Sequence, residues 1–330
     1  MQLRTSTRTA IRLLLLTVVV ASLLVGSAGC AKSETRITIF TGGTAGVYFP
    51  LGSKYAEMLN THSDLIDASA VTSGASVTNA RAIGTDECQV ALLQNDVAFY
   101  AATGTNMFDE PVPQLRGLAC LYPETIQFVV LADSPIMSLA DLAGKNVAVG
   151  APGSGTAVAC EQILTAAGVW TSITRFDLNF AEAVAAIKLG EVDAGFIVAG
   201  APTPAIEELA ISNAVRILDV PDNILAALSS AGYPFYVRQV IPAGTYGMTS
   251  QAATVAVQAM LAVRYDLSED VVYDMTKILF TQLEELRTAH TKGNEVTLET
   301  ALDGMSLVLH PGAVKYYREA GVNVPAALAG

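Results

Sequence analysis

Ile37-Thr38-Ile39-Phe40-Thr41-Gly42-Gly43-Thr44-Ala45-Gly46-Val47-Tyr48 sets an apolar strand-like run, a glycine loop and the start of an amphipathic helix in direct succession. The same order returns in Val147-Ala148-Val149-Gly150-Ala151-Pro152-Gly153-Ser154-Gly155-Thr156, ahead of the helical pattern of Ala157–Ala167. Glycine has no Cβ, so a loop rich in it lets backbone come close to a ligand. The helix that follows aims unpaired N–H groups and a partial positive charge at whatever sits there. One such loop is a weak signal. Two of them suggest two lobes that grip one small anion from opposite sides.

Outward from these loops the chain alternates strands with helices, the pattern of βαβ units and a mostly parallel sheet. Ile66–Val71 and Gln89–Leu93 are strands, and Tyr48–Leu59, Val77–Ile83 and Asn95–Ala102 are helices. Leu115–Leu121 and Thr125–Leu131, with Tyr122-Pro123-Glu124 between them, form an extended crossing to a second lobe. The alternation restarts at Asn146 and continues through the strands Ile173–Asn179, Ala194–Val198 and Val215–Leu218. The helices there are Phe180–Leu189, Thr203–Ala210 and Asp222–Ser230, and Tyr236–Ile241 reads as the return crossing. The tail holds the apolar run Thr254–Val263, a long helix from Ser268 to about His290 and a helix after Pro311. Residues 36–123 with 240–330 make one lobe and 124–239 the other. Ligands of open α/β sheets bind at the carboxyl ends of strands. Both glycine loops, Gln94-Asn95-Asp96 and Thr72–Ser76 lie at such ends.

The N-terminus reads as an address. Arg4, Arg8 and Arg12 precede an apolar run from Leu13 to Val25. That run is short of the roughly 20 residues a membrane span needs and has the shape of an export signal. Ser27-Ala28-Gly29-Cys30 resembles a bacterial lipobox, in which the cysteine is lipidated; Ser27 stands where leucine is usual. Residues 1–30 are therefore a signal peptide ending at the lipidation candidate Cys30.

The 330 residues carry a formal net charge of −12, and the three signal arginines make the remainder more acidic still. Nucleic acid needs basic patches and is not an expected partner. The length favours two domains at ~150 residues each, and 52% hydrophobic residues suffice for two cores. Cys88, Cys120 and Cys160 read as buried free thiols, with a Cys88–Cys120 pair open only if their strands are neighbours.

Catalytic patterns are scarce. The chain has 3 histidines, His62, His290 and His310, none at zinc-ligand spacing. Pro152 and Thr156 stand where a GxSxG elbow around Ser154 needs glycine. Gly144-Lys145-Asn146 lacks the hydroxyl of a P-loop, and Gly153–Val158 lacks the third glycine of a dinucleotide fingerprint. No enzyme, cofactor or metal is expected. Binding groups are present instead. Thr44, Ser154 and Thr156 place hydroxyls at helix starts, where they cap the helix or donate to a carboxylate. Gln94 and Asn95 offer amides. Tyr48, Tyr122 and Phe196 either wall a small-molecule site or fill core. Asp96 and Glu124 are the nearest acids; either one facing the ligand would pair with an ammonium.

The segment Thr41-Gly42-Gly43-Thr44-Ala45-Gly46-Val47-Tyr48-Phe49-Pro50-Leu51-Gly52 resembles the opening signature of the TAXI receptors, solute-binding subunits of TRAP transporters. Ala91–Asp96, Asp141–Lys145, Val149–Thr156, Asp193–Phe196, Ala199–Thr203, Ile241–Tyr246 and His310–Ala313 follow the same family in order, so the resemblance covers residues 36–325. Ala45 replaces a common glycine and Asn95 a common serine. The resemblance implies a type II periplasmic-binding-protein fold, with two lobes of sheet flanked by helices and a two-segment hinge. It implies a ligand among small organic acids and amino acids, in the range of glutamate, glutamine and 2-oxoglutarate. Delivery would be to a TRAP membrane permease driven by an ion gradient, from an extracytoplasmic position held by the Cys30 lipid. Carried onto this chain, the contacts fall on Thr44, Ala45, Gly46, Val47 and Tyr48; on Gln94, Asn95 and Asp96; on Gly153, Ser154, Gly155 and Thr156; and on Phe196, Ala199 and Pro202. A sensor of the same fold acting on a signalling partner is the alternative.

Overall fold

The computed structural model describes residues 34–330, so Cys30 and the signal segment lie outside the described residues. The strands are β1 (Thr35–Phe40), β2 (Ile66–Val71), β3 (Val90–Gln94), β4 (Leu115–Leu131), β5 (Asn146–Ala148), β6 (Thr174–Phe176), β7 (Ala194–Ala199), β8 (Val215–Leu218), β9 (Val237–Ile241) and β10 (Ala252–Arg264). The helices that matter most for the site are α1 (Tyr48–His62), α2 (Ser76–Thr85), α3 (Asn95–Thr103), α4 (Gly155–Ala166) and α5 (Phe180–Leu189). They are followed by α6 (Pro204–Ser212), α7 (Asp222–Ser230), α8 (Glu269–Thr281), α9 (Leu283–Arg287) and α10 (Pro311–Glu319).

One sheet joins all ten strands along the path β2-β1-β3-β10-β4-β7-β5-β6, with β8 added on β4 and β9 on β10. Its two flanks are parallel, β1 with β2 and β3, and β5 with β6 and β7. Its middle is antiparallel, because β4 carries the chain out and β10 carries it back. The sheet is thus mixed, where the alternation alone predicts a mostly parallel one. Two opposed passes of one chain, side by side, can pair only antiparallel.

The crossing is a single 17-residue strand. Pro123 does not interrupt it. The proline sits beside the register shift that leaves Leu121 unpaired between Cys120 and Tyr122, and a bulge is where a sheet tolerates a missing N–H. The return runs through β10; β9, expected to be that crossing, pairs only with Ala252–Ala256 at the start of β10. The expected long helix after Ser268 is also divided. Ser268 Oγ accepts from Val271 N–H at 3.3 Å to open α8, and Gln282 leaves helical geometry before α9.

Two apolar cores lie along the sheet. One gathers Ile39, Tyr55, Leu92 and Tyr317 around β1, β3 and the far half of β10. The other gathers Phe128, Val147, Ile163 and Phe196 around the distal half of β4. Cys88, Cys120 and Cys160 are buried free thiols within these cores. Among the described residues no helix is long and apolar enough to cross a membrane.

Candidate functional site

The carboxyl ends of β1, β2, β3, β5 and β7 open onto one cavity of about 380 Å³. Gly42–Tyr48 and Ser73–Ser76 wall it on one side, Ala151, Ser154–Thr156 and Asn179–Ala181 on the other, and Gln94, Glu124, Val198 and Ala199 form its floor. The first residues of α1, α2, α4 and α5 (Tyr48, Ser76, Gly155 and Phe180) are all in the lining. Helix starts carry unsatisfied N–H donors and the positive end of the dipole, so their convergence favours an anionic group. The N–H groups of Gly155 and Thr156 make no hydrogen bond within the described residues. Ser154 Oγ caps α4 by accepting from Ala157 N–H at 3.1 Å. Asn179 caps α5 in a reciprocal box with Glu182.

The walls touch across the cavity. Gly153 C=O accepts from the N–H groups of Val77 and Thr78 at 3.1 Å each, so the second glycine loop seats on the start of α2. Ala45 C=O accepts from Ala205 N–H at 3.2 Å. A Cβ on Gly155 would lie 2.2 Å from Gln94 Oε1 and 2.9 Å from Ser76 Oγ, and one on Gly46 would meet the Phe180 ring at 3.3 Å. Behind the cavity, Gln162 of α4 donates to Tyr100 OH at 3.2 Å and accepts from Tyr236 OH at 2.7 Å. Glycine at these positions is a condition of the two walls meeting.

The floor holds the charge. Glu124 is 2% exposed, and Tyr48 OH donates to its Oε2 at 2.9 Å. Burial pushes the Glu124 carboxyl up to about 8; the nearby Asp96 adds to the rise, and hydrogen bonds from Tyr48 and Gln94 oppose it. The same burial, with Glu124 beside it, holds the Tyr48 hydroxyl protonated far above its ordinary range. No lysine, arginine or histidine is in the lining. Among the described residues no group of three His, Cys, Asp or Glu could hold a metal ion.

Of the residues named from sequence, Thr44, Ala45, Gly46, Val47, Tyr48, Gln94, Ser154, Gly155, Thr156 and Ala199 line the cavity. Asn95, Asp96, Gly153, Phe196 and Pro202 do not. Asn95 ties β10 and its neighbour together, donating to Gly304 C=O and accepting from Gln258 N–H, both at 3.0 Å. Asp96 is fully buried behind the floor with neither carboxylate oxygen bonded. Gly153 is the contact between the two walls just described, held at φ +78°. Phe196 shares a face with Val198 but lies deeper along β7, in the second core, where its ring meets that of Phe128 at 4.4 Å between centroids. Pro202 follows the cis peptide bond after Ala201, outside the lining. The sequence reading did not place Asn179, Phe180 and Ala181 in the site. Asparagine between a strand and a helix was their only signal. Glu124 was visible as an acid near the crossing, but only the fold sets it on the floor beneath Tyr48.

A family model described as NMT1-like family matches residues 39–321. PhnD1 from Prochlorococcus marinus (MIT 9301), solved in complex with methylphosphonate, is 13% identical with a TM-score of 0.52, covering 79% of this chain and 91% of that one. A structure from work on glutathione import through GshT and the cystine ABC importer TcyBC of Streptococcus mutans is 13% identical with a TM-score of 0.50, covering 80% and 95%. The periplasmic aliphatic sulphonate-binding protein SsuA from Escherichia coli is 18% identical with a TM-score of 0.49, covering 90% and 89%. The likeness to PhnD1 and to the Streptococcus mutans structure is one of fold.

Proposed function

The chain belongs to the NMT1-like family, and from that premise we propose that it is an extracytoplasmic solute receptor whose lobes close on a small carboxylate or amino acid. The observation that carries this reading is the cavity itself. It lies between two glycine loops at strand ends, four helix starts face it, and backbone hydrogen bonds from Val77 and Thr78 to Gly153 join its walls. A carboxylate on the N–H groups of Gly155 and Thr156 would bridge to Thr44, Tyr48 and Gln94 opposite. Such a bridge favours closure by the ligand's differential affinity for the closed state, and by no more.

The lining offers hydroxyls, amides and one carboxyl, but no nucleophile with a base beside it, which supports binding over turnover. The methylphosphonate in PhnD1 is in keeping with a small anion held by this fold. We further assign the chain to the TAXI receptors of TRAP transporters, on the motif order from Thr41 to Ala313. It would deliver a glutamate-, glutamine- or 2-oxoglutarate-like ligand to an ion-driven permease, tethered by lipid on Cys30.

Native mass spectrometry of the purified protein, followed by a thermal-shift screen of acids and amino acids, tests the receptor reading. A true ligand at a hundred times its Kd stabilises by about 2.7 kcal/mol, roughly 4 °C for a chain of this size. No shift with any acid would sink the proposal.

A further inference from the structure

We propose that Glu124 and Gln94 form an ammonium-recognising subsite, so that the ligand is a zwitterionic amino acid rather than its keto acid, and that binding expels a proton. This rests on the receptor reading above and says which member of the ligand class fits.

The cavity is polarised. At one end stand the starts of α4 and α5, donors without a side-chain anion among them. Facing them stands Glu124, with Tyr48 OH donating to one oxygen at 2.9 Å, and Gln94 lies between, its Oε1 beside Gly155. Gln94 lines the cavity, and its buried Oε1 has no hydrogen-bond partner. An unpaired buried acceptor costs on the order of 1–3 kcal/mol. A carboxyl and an unpaired amide oxygen on the floor, with no cation in the lining, ask for a ligand that brings N–H donors and positive charge. An α-ammonium supplies both. A keto oxygen brings neither.

The proton follows from the same geometry. Groups facing Glu124 come from every element packed on it: Tyr48 from α1, Gln94 from β3, Asp96 from α3 and Tyr122 from β4 itself. The segment Thr291–Glu295, packed on β4, contributes only the Lys292–Glu295 pair, closed at 2.6 Å. Nothing cationic is left to ionise the carboxyl in the empty cavity, where burial holds it protonated up to about 8. An arriving ammonium ionises it, and the proton leaves to solvent. Affinity for an amino acid therefore falls as pH drops below about 8, approaching tenfold per pH unit.

The test is calorimetry of the full mature protein with matched pairs: L-glutamate with 2-oxoglutarate, L-alanine with pyruvate, and the remaining amino acids ranked by thermal shift. The expected result is binding of one amine at least 100-fold tighter than its keto acid. At pH 7, buffers of different ionisation enthalpy should report release of close to one proton. Glu124→Gln should lose about 100-fold for the amine, and its binding should release no proton. A keto acid binding as tightly as its amine, or amine binding without proton release, overturns the inference and leaves the receptor standing. No binding by either class overturns both. The wild-type comparison alone decides the matter if the variant fails to fold.

Discussion

Asp96 and Phe196 separate residues that a motif suggests from residues a cavity uses. Asp96 sits in the first turn of α3 with both oxygens unbonded, and burial pushes its carboxyl up to about 7 from an ordinary value of 3.8. The folded state therefore keeps this proton up to about pH 7, while the unfolded chain sheds it near 4. Between those values the unfolded state binds fewer protons, so stability falls as pH rises. Asp96→Asn removes the share of that slope that Asp96 contributes. The variant should gain on wild type from pH 4 to pH 8, by an amount on the order of a few kcal/mol at the top. Melting curves across that range check it, and a difference independent of pH would contradict it. Glu124 titrates with the same sign and is coupled to Asp96, so the wild-type slope belongs to the pair. Phe196→Ala should cost about 3–5 kcal/mol of stability through the cavity left against Phe128. Ligand affinity at a temperature where the variant is folded should stay within a few-fold of wild type. A large affinity loss there would return Phe196 to the site.

Element by element, the local chemistry of the chain is readable and its bends are less so. Ser154, ahead of Gly155-Thr156, and Asn179, ahead of Glu182, are capping residues at the positions where α4 and α5 begin. Ser154→Ala should destabilise by about 1 kcal/mol through the lost cap, measurable by urea unfolding; an unchanged midpoint would mean the Ala157 N–H finds another partner. The 17-residue β4 is where a local rule misleads. Proline inside an apolar run signals a break, but the bulge at Leu121 absorbs it. A bulge depends on the partner strand, here β10, more than a hundred residues later in the chain, and no local window contains it.

At the scale of the molecule, function depends on two walls meeting. Gly155→Ala places a methyl 2.2 Å from Gln94 Oε1, and Gly153→Ala places one 2.6 Å from Thr78 Oγ1 at a positive φ. Both should favour the open form, weakening ligand binding at least tenfold. The ligand-induced decrease in radius of gyration seen by small-angle X-ray scattering should shrink with it; full compaction in both variants would show that the contacts are incidental. The sequence by itself determined the alternation of strands and helices, the glycine loops at strand ends, the helix caps and the apolar content for two cores. These follow from residue periodicity, steric freedom and short-range hydrogen bonding, all of which act within a few residues. Only the tertiary structure decided that the sheet is mixed, that β10 is the return path, and that Asn95, Asp96, Gly153, Phe196 and Pro202 stand outside the cavity. It also set Glu124 beneath Tyr48 and left the Gln94 oxygen unpaired beside Gly155. Those outcomes turn on which distant strands pair and which face of each strand looks inward. Burial and charge at the floor are sums over four separate segments, and they exist only once those segments are folded together.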